Sequence, residues 1–342
     1  MKNNKLTIRN LLVPIDFSPL SLKTISEAHK VARHFGAVIH LAHVYQQQYP
    51  SEFMVPVLSA GQTAESVTEH QRDSLGERLA DVIRLHDLPA TTPTHLCEGA
   101  SIFHEICRLA QSIPVNLIVM PTHGHDGFKH VVLGSTAERI VQHAPCPVLI
   151  VRPQVGQGKN GATTESANER EPTILVPIDF SPVSLHSLQY ALAYAADAGA
   201  KVLILHTIDL QDEFRNEGRG VYRLADFRQT ARRDAERELH EFLEPAEFGD
   251  VPFEILIRTG KPAPEICRVA EHRGVDLIIL GTHGRTGLKH LVMGSIAEHV
   301  VRSAAQSVLV VPSHPETRIS GLSRAARQPR GLPQKSEHQF VA

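Results

Sequence analysis

Two kinds of apolar pattern alternate along this chain. Asn10–Ile15 and Thr173–Ile178 are short runs in which nearly every position is apolar, the pattern of strands buried on both faces in a parallel sheet. Ser18-Pro19 and Ser181-Pro182 then supply an N-cap followed by proline at the first helical position. The helices they open run on to Gly36 and Gly199, placed as C-terminal stops. Second strands are expected at Val38–Tyr45 and Lys201–Ile208, and long polar helices around Glu65–His86 and Leu224–Leu243. Third strands follow near Thr94–Cys97 and Glu254–Arg258. Helices then carry Glu105-Ile106-Cys107-Arg108 and Glu265-Ile266-Cys267-Arg268. Fourth strands at Val115–Met120 and Asp276–Leu280 lead through glycine-spaced loops to helices from Ser135 and Ser295. Last strands are Val148–Val151 and Val308–Val311. Strands alternating with helices imply right-handed parallel crossovers, hence a five-stranded doubly wound α/β domain.

The pattern is written twice. Leu12-Val13-Pro14-Ile15-Asp16-Phe17-Ser18-Pro19 returns as Leu175-Val176-Pro177-Ile178-Asp179-Phe180-Ser181-Pro182. Thr122-His123-Gly124, nine residues, Gly134-Ser135 returns as Thr282-His283-Gly284, nine residues, Gly294-Ser295. A repeat this long is a whole domain rather than a solenoid unit. The expected organisation is a first domain over 6–153, a flexible linker over 154–170, a second domain over 171–313 and a disordered tail over 314–342. Linker and tail are set apart by their Gly-, Ser-, Gln- and Asn-rich composition.

Composition changes the picture only by exclusion. Lys and Arg number 35 against 37 Asp and Glu, a net charge of −2, so no electrostatic argument favours nucleic acid or an anionic membrane. Cys97, Cys107, Cys146 and Cys267 lie apart with no CxxC pair, which fits a reducing cytosol better than a disulfide framework or a structural zinc site. No stretch approaches the ~20 apolar residues of a membrane span, and no apolar h-region follows the basic start. A cytoplasmic protein is expected. The 21 histidines invite a metal reading, and His123, His125, Asp126 and His130 form the densest group. No HExxH or comparable ligand spacing occurs, so no metal site is expected.

The candidate chemistry lies where an open parallel sheet binds ligands, beyond the carboxyl ends of its strands. Asp16 and Asp179 stand at the end of the first strand of each half. The loop after the fourth strand ends at a helix start, where glycines admit an anion close to the backbone and unpaired N–H groups favour negative charge. Ser295 is placed to cap that helix and to meet a phosphate. The alternative is ordinary capping, by Gly-Ser before a helix and by Asp after a strand. Neither GxxxxGK[ST] nor GxGxxG occurs.

The V-P-I-D-F-S opening joined to G-x-x-G, nine residues, G-S resembles the universal stress protein family in a tandem two-domain form. The resemblance implies the sheet order 3-2-1-4-5 and pairing of the last strands of two domains, here within one chain, as a pseudo-dimer. It also implies ATP, with Mg, against the glycine loop. Carried over, the adenine and ribose side is Pro177, Ile178, Asp179 and the backbone at Thr207. The phosphate side is Leu280, Gly281, Gly284, Gly294, Ser295 and Ile296. The first-half counterparts are Pro14, Ile15, Asp16, Val44, Met120, Gly124, Gly134, Ser135 and Thr136.

The first half departs from this pattern. Pro121 replaces the first glycine, and His125-Asp126 stands where the second half has Arg285-Thr286, setting a carboxylate near a triphosphate. Nucleotide is therefore expected mainly in the second half. Arg215, Arg219 and Arg223 either close over phosphates or form a solvated loop. Cys107 and Cys267 are expected as buried small hydrophobes. No acid–base pair suited to phosphoryl transfer is evident. The expected function is an ATP-binding stress-response regulator without rapid turnover and not an enzyme, with protein partners that the sequence does not name and scope for homo-oligomers. The alternatives are an interaction scaffold whose sites are idle and a slow ATPase.

Overall fold

The computed structural model describes residues 6–46, 64–122, 133–152, 170–210, 224–284 and 293–313. The expected linker, all but its last residue, and the expected tail lie outside them. So do Gly124, the His123–His130 group, Arg285-Thr286 and the three loop arginines.

The chain divides into two compact units. The first half runs β1 (Asn10–Pro14), α1 (Pro19–Phe35), β2 (Val38–Tyr45), α2 (Ala64–Leu85), β3 (Thr94–Glu98), α3 (Ile102–Ser112), β4 (Leu117–Pro121), α4 (Ser135–His143) and β5 (Val148–Val151). The second half repeats the order: β6 (Thr173–Ile178), α5 (Pro182–Ala198), β7 (Lys201–Ile208), α6 (Leu224–Leu243), β8 (Phe253–Thr259), α7 (Pro262–His272), β9 (Leu277–Gly281), α8 (Ser295–Ser303) and β10 (Ser307–Val311). Strand order is β3-β2-β1-β4-β5 in the first half and β8-β7-β6-β9-β10 in the second. Leu11 pairs in parallel with Ile39 on one side and Leu117 on the other, while Leu175 pairs with Leu203 and Ile278. The order of connection reverses beside β1 and β6, so the crevice of each sheet opens at their carboxyl ends. Strand ends differ from expectation by a few residues: β4 begins at Leu117 and takes in Pro121, and β1 stops at Pro14. The Ile15 N–H still reaches the Ala42 carbonyl at 2.7 Å, so this end frays in assignment rather than in contact.

Burial explains the apolar runs. Leu11, Leu12 and Val13 are fully buried although successive side chains point to opposite faces, so both faces of β1 are covered. Leu175 and Val176 repeat this in β6. The capping expected at α1 and α5 is present: Ser18 and Ser181 accept from the backbone N–H of Ser21 and Ser184, and Gly36 and Gly199 close the helices in the left-handed region.

One cross-strand pair differs in chemistry between the two halves, half-buried in the first and buried in the second. Leu203 and Leu256, fully buried in β7 and β8, correspond by register to His40 and His95 in β2 and β3. His40 Nδ1 and His95 Nε2 meet at 3.1 Å, with ring planes 21° apart. The Asn10 side-chain N–H₂ donates to the Pro114 carbonyl, which turns its Oδ1 toward His40 Nε2 at 3.3 Å. His40 therefore carries its proton on Nε2, and His95 Nε2–H donates to His40 Nδ1. Burial holds both imidazoles below the usual histidine range, and for His40 the neighbouring His95 adds to this.

Candidate functional site

The end of β6 sets the site's first wall. Pro177 is half-buried and Ile178 is buried. Asp179 follows the strand. Its Oδ1 accepts from the Ser181 N–H at 3.1 Å and from the Ser181 hydroxyl at 2.6 Å, so the carboxylate braces the turn into α5. The ordinary capping alternative thus describes part of what Asp179 does; Asp16 accepts from the Ser18 N–H at 2.9 Å in the same way. Between each Asp and Ser stands a phenylalanine with positive φ, 62° at Phe17 and 63° at Phe180. A bulky residue in the left-handed region costs roughly 1–3 kcal/mol and is held only where surrounding contacts over-determine it.

Those contacts are aromatic. Phe180 lies on His206 with ring centroids 4.4 Å apart and meets Phe242 edge-on at 5.6 Å. Phe17 lies on His43 at 4.6 Å, and the Arg78 guanidinium stands over the Phe17 ring at 3.9 Å. Each histidine Nδ1–H donates to the carbonyl before the aspartate, His43 to Ile15 at 2.7 Å and His206 to Ile178 at 2.9 Å. Burial pushes the His43 imidazole below its ordinary range against the opposing pull of that carbonyl, which keeps it neutral at pH 7. These four aromatic residues were not singled out from the sequence; their repetition at matching places in both halves was the available signal. Thr207 follows His206 on β7, paired with Arg258, at the same end of the sheet.

The second wall is the loop after β9. Leu280 is buried, and Gly281 is the last residue of β9. A Cβ at Gly281 would overlap Val183 Cγ1 and approach Ser187 Oγ to 3.2 Å, so this glycine is required by the packing of α5. Its absent side chain thus also serves close helix–strand packing, beside the ligand approach expected of it. By alignment of the halves, Pro121 takes the place of Gly281, and Leu20 and Thr24 take those of Val183 and Ser187. A Cβ at Gly284 would lie 2.5 Å from Asp179 Oδ2, so the loop and the carboxylate are in contact. Gly294 closes the loop, its N–H donating to the Thr282 carbonyl at 2.8 Å; Gly134 closes on Thr122 at the same 2.8 Å.

Gly294 and Gly134, not the serines after them, are the N-caps of α8 and α4, and neither helix start has a side-chain cap. Ser295 and Ser135 are the first helical residues and are exposed, a correction to the capping role expected for Ser295. The first-turn N–H groups thus receive no side-chain cap, and the positive end of the helix dipole lies behind them. Ile296 is 40% exposed beside them, and its counterpart Thr136 is half-buried. The first half thus brings Pro14, Ile15, Asp16, Val44, Met120, Gly134, Ser135 and Thr136 to the carboxyl ends of its own strands and the start of α4. The thiols stand apart from this chemistry: burial pushes Cys107 up to about 11 and Cys146 up to about 12. Among the described residues, no group of three or more His, Cys, Asp or Glu is placed to hold a metal ion, and no helix is long and apolar enough to cross a membrane.

Compared with known proteins, residues 7–152 and 172–312 each match the model of the universal stress protein family. The chain belongs to that family. A universal stress protein of Methanocaldococcus jannaschii is 32% identical over 153 residues, aligning 93% of its length with 40% of this chain. Another, from Mycolicibacterium smegmatis, is 24% identical over 318 residues, 88% of this chain and 96% of its own. The solved universal stress protein of Archaeoglobus fulgidus superposes with a TM-score of 0.54 at 18% identity, covering 91% of this chain and 98% of that one. A functionally unknown protein from Pseudomonas aeruginosa superposes equally, with a TM-score of 0.54 at 20% identity, covering 89% and 92%. These two structures show the tandem α/β fold, so this universal stress protein shares its two-domain architecture with proteins of comparable length.

Proposed function

We propose that this universal stress protein is a regulatory protein that binds ATP in its second half and holds it without rapid turnover. The observation that carries the reading is the meeting of Gly284 with Asp179 Oδ2, in a loop that Gly294 closes onto the uncapped start of α8. One cradle then offers a carboxylate for a ribose and helix N–H groups for phosphate oxygens. Ser295 and the first-turn N–H groups are the residues that would hold the phosphates, and Mg would share their charge. Domain-wise asymmetry is supported by the sequence of the loop, where Asp126 replaces Thr286 and Pro121 removes an N–H. Slow or absent turnover is supported by the commitment of Asp179 Oδ1 to Ser181, which uses that oxygen for capping. A cytoplasmic stress-response role, with protein partners or self-association, belongs to the same proposal.

Mass spectrometry of small molecules released from the purified protein tests it, with Gly284→Val as the matched variant. ATP in the parent and its loss in the variant is the expected result. ADP or AMP in place of ATP would favour a slow ATPase. No nucleotide, and no binding when ATP is added, would leave an interaction scaffold.

A further inference from the structure

We propose that Ser313, two residues past the end of β10, is a positioning residue for the phosphate-side loop, fixing the His283 ring so that its Nε2 donates to an anionic ligand. The inference rests on the nucleotide reading above.

Three side chains meet at this point. The Thr282 hydroxyl, on a residue only 4% exposed, donates to Ser313 Oγ at 3.4 Å. Ser313 Oγ lies 3.2 Å from His283 Nδ1, and Thr282 Oγ1 lies 2.9 Å from the same nitrogen. The Thr282 N–H also donates to the Val311 carbonyl at 3.1 Å, which ties the loop's backbone to the end of β10. With the Thr282 proton directed at Ser313, the Ser313 hydroxyl proton is the one available to His283 Nδ1. That nitrogen then accepts, and the ring's proton resides on Nε2.

Nε2 is enclosed and has no hydrogen-bond partner. A buried donor without a partner calls for an explanation, because leaving one unmade is costly. The residue that carries it sits between Gly281 and Gly284, directly before the glycine that touches Asp179. Phosphate oxygens only accept, so a ring held with its proton on Nε2 has the polarity they require. Without the Ser313 hydroxyl, Nδ1 loses the donor that holds it as an acceptor, and the ring is free to carry its proton there and donate to Thr282 Oγ1. Nε2 then becomes an acceptor and repels the same ligand. The cluster is peculiar to the second half: counting from Val151 and Val311, the position of Ser313 is taken in the first half by Pro153, which has no hydroxyl.

The test uses the full chain with ATP as probe, measuring affinity by calorimetry and the His283 tautomer by nitrogen-15 NMR. Ser313→Ala is expected to weaken ATP about three- to tenfold, the range of one hydrogen bond, and Ser313→Thr to restore it. His283→Ala should cost as much, and combining it with Ser313→Ala should add little, because the two act as one unit. In the ligand-free protein, His283 should carry its proton on Nε2 in the parent and on Nδ1 in Ser313→Ala. A parent tautomer with the proton on Nδ1 would overturn the clamp whatever binds. Unchanged ATP affinity in Ser313→Ala, with binding lost in Gly284→Val, would also overturn it while leaving the nucleotide reading intact. A parent that binds no ATP would sink the nucleotide reading itself, and the role of Ser313 with it.

Discussion

Phe17 and Phe180 occupy a backbone region that favours glycine, and each is held there by a histidine ring and a braced aspartate. The side chain is thus worth its backbone strain, and Phe180→Gly should lower thermal stability despite relieving φ. A rise in Tm would show that the contact with His206 contributes less than the strain. At Gly281 the conflict is one of volume. Gly281→Ala should destabilise the protein by about 1–3 kcal/mol through its clash with Val183, and Val183→Ala added to it should return part of the loss in denaturant melts. The two loop glycines thus have different neighbours, Val183 of α5 at one and the Asp179 carboxylate at the other. The sequence shows both as Gly and cannot distinguish them, because the decisive neighbours, Val183 and Asp179, are about a hundred residues away. The positive φ at the two phenylalanines was equally hidden, since nothing in Asp-Phe-Ser-Pro distinguishes it from a normal turn.

At the scale of elements, most of the structure was legible. The apolar runs gave β1 and β6, Ser-Pro gave the starts of α1 and α5, and Gly36 and Gly199 gave their ends, each through a local rule with a local cause. Ser295 misled because a hydroxyl after glycine suits a cap, while the backbone turn at Gly294 already opens the helix. Ser181→Ala should cost about 1 kcal/mol or somewhat more, since it removes both a cap and a partner of Asp179. The histidine pair across β2 and β3 carries a pH dependence. Both rings sit below their ordinary pKa in the folded state, so the unfolded chain takes up protons first as pH falls below 6.5. That contribution is intact above this pH and is lost progressively below it. Burial acts on both rings and, for His40, so does the neighbouring His95; Cys97, on the same face of β3, is pushed up by burial and by Glu105 against the pull of Arg108 of α3. Replacing both with leucine, as at Leu203 and Leu256, should flatten the stability profile of the first half between pH 7 and pH 5. An unchanged slope in hydrogen exchange across β2 and β3 would count against the pair.

Taken as a whole, the molecule is a duplicated framework with unequal chemistry. Adding ATP should raise amide protection at the end of β9 and the first turn of α8 and leave the corresponding end of β4 and start of α4 nearly unchanged. Equal protection in both halves would remove the asymmetry from the proposal. The loop closures described above carry one more consequence. Gly134 to Thr122 and Gly294 to Thr282 are the same bond at the same length, spanning loops of equal size. Each loop is therefore a cassette with standard ends, open to exchange between the halves without redesigning either framework. A chimera carrying residues 282–294 in place of 122–134 would ask whether binding travels with the loop or stays with the sheet that presents it.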